Sequence, residues 1–265
     1  MITDPLFYAL AIPAVAFTGL SKGALGGAFG FAAVPALALV LSPIQAAALM
    51  LPILLVMDVV AVSSFRRLFD RRIVLKLLPY GLLGTALGWA TASLVSDDAV
   101  RVVVGGIALI FLLRVFLNDR KRKRAALGAA VPDASTDRRG MPKGALIWGT
   151  LAGYTSFVAH AGGPPYQAYV VPIRLEPVIY AGTSAIFFAI LNAVKVIPYA
   201  ALGQFDTTTL STAAALFPLA IVSTWIGVKV VRVIGERVFY RILYVSIAMV
   251  SVKLIYDGVN GLIGG

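Results

Sequence analysis

The chain consists mostly of apolar stretches of spanning length, separated by short charged or polar connections, and this pattern limits what it can fold into. A helix needs about 20 apolar residues to cross the roughly 30 Å hydrocarbon core of a bilayer. Of the 265 residues, 60% are hydrophobic and 13% are charged, which is too little charge to cover the surface of a soluble domain. We therefore expect an all-α polytopic membrane protein.

Two of the apolar segments, 5–41 and 144–173, are interrupted halfway by glycines, in GLSKGALGGAFG (19–30) and HAGGPP (160–165). Glycine is costly inside a helix, and proline lacks the N–H and clashes with the preceding turn, so a helix must break at both places. The other segments have ordinary spanning length: 43–65, 73–95, 99–117, 177–202, 208–231 and 238–258.

The basic residues predict the orientation. Eighteen of the 23 Lys and Arg residues fall in four connections, which the positive-inside rule places in the cytoplasm. The cluster RKRKR (120–124) is better explained by topology than by lipid or partner binding. Both broken segments must then return to the side from which they enter, as re-entrant hairpins, and both termini are extracytoplasmic.

The two halves of the chain resemble each other. LPYGLLGTALG (78–88) aligns with FPLAIVSTWIG (217–227), with the proline, a threonine and the final glycine retained. Each half has a hairpin and three spans, so the second half is inverted, a pattern typical of secondary transporters. We predict a first repeat over 1–118, a basic cytoplasmic linker over 119–142 and a second, inverted repeat over 143–265.

The paired breaks carry a family resemblance. GLSKGALGGAFGFAAVP (19–35) and GYTSFVAHAGGPPYQAYVVP (153–172) resemble the glycine-rich motifs of the TauE/SafE sulfite exporters, also called the toluene-sulfonate uptake permease family. The resemblance covers the whole chain, although HAGGPP stands where many relatives have a third glycine. It implies transport of a small sulfur-containing anion, often outward, across a bacterial inner membrane, with the two motifs as binding loops.

Ionisable side chains within apolar segments are functional hypotheses, because charge in hydrocarbon is costly. Arg114 and Lys253 lie near span ends, where long side chains reach the interface, and we interpret them as structural. Lys22 and His160 lie in the two breaks. There, exposed backbone N–H groups and a lysine with no obvious partner predict a positive cavity suited to an oxyanion. A hydrogen-bonded packing role is the alternative for His160.

Asp58 and Lys195 lie in the first full span of each half and are near-equivalents under the repeat. They either pair as a buried bridge, or Lys195 adds to the anion site while Asp58 carries a proton or balances Lys22. Asn192, one turn before Lys195, is its polar neighbour. The proton-coupling candidates are Asp58 and His160. The predicted substrate-binding residues are Ser21, Lys22, Gly26, Gly27, His160, Gly162, Gly163, Tyr166, Gln167, Asn192 and Lys195.

These features predict a secondary transporter that exports sulfite or an organosulfonate. A proton-coupled uptake permease and an anion channel are the alternatives. A membrane enzyme would need a catalytic cluster that we do not find, and GALGGAFG lacks the strand and the Gly-Lys-Ser/Thr ending of a phosphate loop. We expect no cofactor, no metal and no nucleic acid. The expected partners are the anion and the lipid bilayer, and a homo-oligomer stays open.

Overall fold

The computed structural model describes residues 1–27, 33–37, 39–91, 102, 106, 109, 113 and 144–264. We number its helices in chain order as α1 Pro5–Leu25, α2 Ala33–Leu37, α3 Pro43–Phe65, α4 Arg71–Thr91, α5 Ala145–Ala159, α6 Gly163–Val170, α7 Pro177–Ala201, α8 Thr207–Val233 and α9 Glu236–Gly264. A short 3₁₀ turn, Val171–Ile173, follows α6. The predicted linker 119–142, Arg114 and most of the predicted segment 99–117 lie outside the described residues.

In the part of the chain that the structure describes, six helices are long and apolar enough to cross a bilayer, namely α1, α3, α4, α7, α8 and α9. They expose large apolar side chains, such as those of Val59, Trp225 and Val233, which lipid can cover. The chain is therefore an all-helical polytopic membrane protein, as predicted. Helix α3 matches the predicted segment 43–65, whereas α9 continues past the predicted end at 258 to Gly264.

Local sequence explains where the spanning helices begin. Asp4 accepts a hydrogen bond from the backbone N–H of Leu6 at the start of α1, and Ser42 forms a reciprocal capping box with Gln45 at the start of α3. Asp206 caps the start of α8 with its side chain, as Asp4 does for α1. The backbone N–H of Thr209 donates to its carboxylate and lowers the pKa of Asp206. Proline in the first turn of α1, α3 and α7 fits the helix, because no intrahelical N–H is needed there.

In both long segments the first helix ends within the predicted interruption, and both ends have the same geometry. Gly26 (φ 62°) follows the last residue of α1 and His160 (φ 49°) follows the last residue of α5, each in the left-handed conformation. The N–H of the following residue then donates to a carbonyl six positions back, from Gly27 to Ser21 and from Ala161 to Thr155, at 3.0 Å in each case. Re-entry of the two segments stays a prediction. With 21 residues, α1 is long enough to span.

Small residues let these two broken segments pack tightly on the opposite half of the chain. Helix α1 packs on α8, where Gly23 faces the backbone of Thr224. Helix α5 packs on α4, where Gly153 faces the carbonyl of Gly81. A Cβ on Gly153 would lie 1.9 Å from that oxygen, so the helices approach at a distance that only glycine permits. The same helix pairing thus occurs twice.

The spacing of residues from each break into the next helix is also repeated. Gly26 and His160 are each followed after seventeen positions by the proline that begins α3 or α7, and fifteen positions later come Asp58 and Asn192. By this spacing the position equivalent to Asp58 is Asn192. Lys195, predicted to be a near-equivalent of Asp58, lies three positions further on, close to one helical turn.

Candidate functional site

The two breaks meet at a buried cavity of about 40 Å³. One water requires only about 10–15 Å³, so this volume is large enough for a few waters or a small oxyanion. The cavity lies near the middle of two spanning helices, since Leu54 is the central residue of α3 and Phe188 lies one position before the centre of α7. Its lining residues are Thr18, Lys22, Gly26, Gly27, Leu54, Ser156, His160, Gly163, Ser184, Ala185, Phe188 and Asn192.

Lys22 contributes an ammonium to this wall and forms a buried ion pair. Its Nζ lies 2.8 Å from Oδ1 of Asp58, and both side chains are at least nine-tenths buried. The other carboxylate oxygen, Oδ2, accepts a hydrogen bond of 2.7 Å from Nδ2 of Asn192. The partner of Lys22 is thus not a neighbour in the sequence but Asp58 on α3, 36 positions away, as in the alternative in which Asp58 balances Lys22.

Lys195 forms a separate group of contacts. Its Nζ lies 2.9 Å from the carbonyl oxygen of Ser156, 3.1 Å from Oγ of the same residue and 3.1 Å from Nδ1 of His160. The Ser156 carbonyl belongs to the last turn of α5, so Lys195 places a positive charge at the negative end of this helix. The alternative in which Asp58 and Lys195 pair is wrong. Asp58 balances Lys22 instead.

His160 connects this group to α3. Its Nε2 lies 3.1 Å from the carbonyl oxygen of Ala47, so both ring nitrogens have a partner. The backbone of His160 is left-handed, which a side chain without a compensating contact rarely adopts. The ring contacts to α3 and α7 supply that compensation, and His160 fixes the second break while its side chain lines the cavity.

Backbone N–H groups are available at only one of the two breaks among the described residues. The N–H groups of Gly26 and Gly27 both donate to the carbonyl of Ser21, so these two are already used within the chain, and residues 28–32 lie outside the described residues. At the second break, α6 begins with Gly163 followed by two prolines, which have no N–H. First-turn N–H groups have no acceptor within their own helix, and Gly163 lines the cavity.

Several predicted residues are buried beside the cavity without lining it. Tyr166 stacks its ring on Phe187 with centroids 5.2 Å apart, and its ring also contacts Phe188. Gln167 is 1% exposed, within the same helix. Neither of the two lines the cavity, and Oε1 of Gln167 is buried without a hydrogen-bond partner among the described residues. Ser21, Gly162 and Lys195 also lie behind the lining.

Sequence reasoning missed six lining residues. Thr18 is the most informative, because its Oγ1 is buried without a hydrogen-bond partner among the described residues. It lies one helical turn before Lys22, so the i, i+4 spacing on α1 was the available signal. Ser184 donates from Oγ to the carbonyl of Gly26 at 2.6 Å and holds the first break in place. The other missed residues are Leu54, Ser156, Ala185 and Phe188.

Comparison with protein families gives this cavity a chemical context. The family described as "Sulfite exporter TauE/SafE" matches residues 11–254, which include both breaks and every residue lining the cavity. The chain belongs to the TauE/SafE family. Membership of this family makes it a membrane transporter, with a small anion as its substrate. No curated protein and no solved structure matches the chain.

The lining of the cavity contains groups that can donate hydrogen bonds to an oxyanion. Lys22 carries an ammonium, and the hydroxyl of Thr18 has no hydrogen-bond partner among the described residues. Hydrogen bonds between charged groups are stronger than neutral ones. The apolar remainder of the lining, Leu54, Ala185 and Phe188, keeps this space of low polarity, which strengthens each polar contact.

Proposed function

We propose that this protein exports a small sulfur oxyanion, sulfite or an organosulfonate, from the bacterial cytoplasm by alternating access around the cavity between the two breaks. Family membership supports a sulfur-containing anion as cargo. The single observation that carries the proposal is the buried Lys22 ammonium on the wall of that cavity, at the middle of the spans. A charged side chain at such depth in the membrane is energetically costly, so its presence there indicates a functional role.

In the proposed site the anion accepts hydrogen bonds from Lys22 Nζ and from the backbone N–H of Gly163. The hydroxyl of Thr18 donates a third, and the second amide hydrogen of Asn192 a fourth. These donors come from α1, α6 and α7, so binding joins the two halves of the chain. The remaining predicted residues shape or support the cavity: Ser21, Gly26, Gly27, His160, Gly162, Tyr166, Gln167 and Lys195.

The proposed architecture is an inverted repeat with re-entrant hairpins, divided into 1–118, the cytoplasmic linker 119–142 and 143–265. Both termini are extracytoplasmic, in the bacterial inner membrane. The repeated spacing from each break to α3 and α7 and the identical end geometry of α1 and α5 support an internal repeat. In transporters of this kind the site lies where the repeats meet.

The membrane potential supports outward transport. An interior that is negative by about 100 mV expels each negative charge with about 2.3 kcal/mol, so export needs no coupled ion. Uptake of the same anion requires a cation, and in that alternative Asp58 or His160 carries the proton. His160 is the weaker candidate, since both of its ring nitrogens are hydrogen-bonded in this structure.

Counterflow in proteoliposomes tests the proposal against the channel alternative. Vesicles loaded with unlabelled sulfite and diluted into a trace of labelled sulfite should accumulate label transiently, because a carrier exchanges its cargo across the membrane. Uptake should saturate with concentration. Label that equilibrates without an overshoot, at a rate that rises linearly with concentration, would indicate a channel. No flux of sulfite, methanesulfonate or thiosulfate would refute the proposal.

A further inference from the structure

The hydrogen bonds of Lys195 and His160, beside the cavity, indicate where their protons lie. A carbonyl oxygen can only accept, so His160 must carry its ring proton on Nε2, facing Ala47, and Nδ1 is then an acceptor. Lys195 Nζ is therefore surrounded by three groups that can accept: the Ser156 carbonyl, the Ser156 hydroxyl and Nδ1 of His160. Three acceptors match the three hydrogens of an ammonium. From this match we assign a charged Lys195 and a neutral His160.

The same argument applies to the ion pair. Oδ1 of Asp58 lies 2.8 Å from the Lys22 ammonium in an ion pair, and Oδ2 accepts a hydrogen bond from the Asn192 amide, which is the pattern of an ionised carboxylate. The buried cluster thus contains two ammonium groups and one carboxylate. Its net charge is +1 when the cavity holds no anion.

This charge bears directly on what the cavity accepts. An uncompensated charge in a low-dielectric interior is costly, so the cluster favours an anion whose charge brings the net charge of the occupied site to zero. A monoanion does so, whereas a dianion leaves a net charge of −1. We propose that Asp58 makes the site selective for singly charged sulfur oxyanions, organosulfonates and hydrogen sulfite, and that a dianion binds only together with one proton on Asp58. This inference rests on the proposed function.

Among the titratable groups around the cavity, Asp58 is the one that can take up this proton. The charges that act on it are Lys22 from α1 and Lys195 from α7, and both already hold their protons. Helix α2 has no titratable side chain. The basic side chains of α8 lie near its C-terminal end, where Arg232 donates to the carbonyl of Ser64 at the end of α3. Protonation of Asp58 raises the net charge of the cluster to +2, which a dianion neutralises.

Two tetrahedral anions of similar size test the proposal by calorimetry on the purified full chain. The titrations cover about pH 6 to 8, on both sides of neutrality. Throughout this range methanesulfonate is a monoanion and sulfate is a dianion. Methanesulfonate affinity should be independent of pH. Sulfate should bind more weakly, with an affinity that rises about tenfold for each unit by which the pH falls, as linkage to one proton requires.

Substitution of the carboxylate should remove this discrimination. Asp58→Asn keeps the shape and an acceptor for Asn192 but raises the charge of the cluster to +2. Sulfate affinity should rise at least about tenfold at neutral pH and lose its pH dependence, because the linked proton is no longer needed. Asp257→Asn is the matched control, since it removes the carboxylate of the exposed Lys253–Asp257 pair. It should behave as the unchanged protein.

Three results would overturn the proposal while leaving the proposed function intact. These are sulfate binding to the unchanged protein without pH dependence, a monoanion preference retained in Asp58→Asn, and sulfate that binds neither the unchanged protein at low pH nor the variant. If Asp58→Asn fails to fold, the two pH series on the unchanged protein still decide. A protein that binds neither methanesulfonate nor sulfite refutes the proposed function itself.

Discussion

Removal of either partner of the buried ion pair between Lys22 and Asp58 should strongly destabilise the region around the cavity. The charged atoms are 2.8 Å apart, and the side chains are 7% and 5% exposed. At an effective dielectric constant of about 20, this separation corresponds to an attraction of about 6 kcal/mol. Desolvation of both ions opposes it, so the net contribution of the pair is small. Removal of one partner, however, leaves a buried charge without compensation.

A double-mutant cycle measures this asymmetry. We expect Lys22→Met and Asp58→Asn each to lower the free energy of unfolding by about 3–5 kcal/mol, and the double variant to lie within about 1–2 kcal/mol of the unchanged protein. The assay is unfolding in mixed micelles by increasing SDS, followed by circular dichroism. The coupling energy should therefore be about 4 kcal/mol or more.

The exposed pair Lys253–Asp257 supplies the matched control. Lys253 is 57% exposed and lies one helical turn from its partner on α9. The corresponding cycle, Lys253→Met with Asp257→Asn, should give a coupling energy of about 0.5 kcal/mol or less. A coupling energy below about 1 kcal/mol for Lys22 and Asp58 would refute the reasoning, because it would mean that each charge is solvated without the other.

Three further predictions follow from packing, backbone conformation and charge. Gly153→Ala places a Cβ 1.9 Å from a backbone oxygen of α4 and should cost about 3 kcal/mol or more in the SDS assay, whereas Gly235→Ala, which meets nothing within 4 Å, should be neutral; equal effects would mean that α4 and α5 are not in close contact. His160→Asn should retain more stability than His160→Ala, since asparagine tolerates the left-handed backbone, and the reverse order in the same assay would contradict this account of the second break. In this cysteine-free chain, cysteines introduced at Ser135 and Asn260 should react with an impermeant thiol reagent from opposite sides of the membrane, and labelling from one side would exclude the proposed topology.

The helices could be predicted closely from the sequence, because the boundaries have local chemical causes. The predicted segment 43–65 is α3, since Ser42 caps it and charged residues follow its end. The interruption of 144–173 was evident from consecutive Gly and Pro residues. What local sequence did not reveal is the length of α1, which includes Gly19 and Gly23. These glycines are retained within the helix because α8 packs against them.

The charge pairing could not be predicted, because it depends on how distant helices approach each other. Asp58 and Lys195 were possible partners because they are ionisable side chains at near-equivalent positions of the two halves. In the structure Asp58 accepts a hydrogen bond from Asn192 and forms an ion pair with Lys22. Phe188 was missed for a related reason. A phenylalanine in an apolar helix carries no sign of a binding role until the fold places it beside a cavity, and for Thr18 the only signal was its spacing from Lys22.

Calorimetric binding of sulfite tests the central claim, that a sulfur oxyanion binds at Lys22 between the two breaks. The variant to use is Lys22→Met with Asp58→Asn, because it removes the ammonium together with its carboxylate partner and leaves the net charge of the cluster unchanged. We predict that the unchanged protein and the control Lys253→Met with Asp257→Asn bind sulfite alike, and that affinity in the first variant falls by at least about tenfold, the value of one hydrogen bond to a charged group. Equal affinity in all three proteins would contradict the account and place the anion elsewhere.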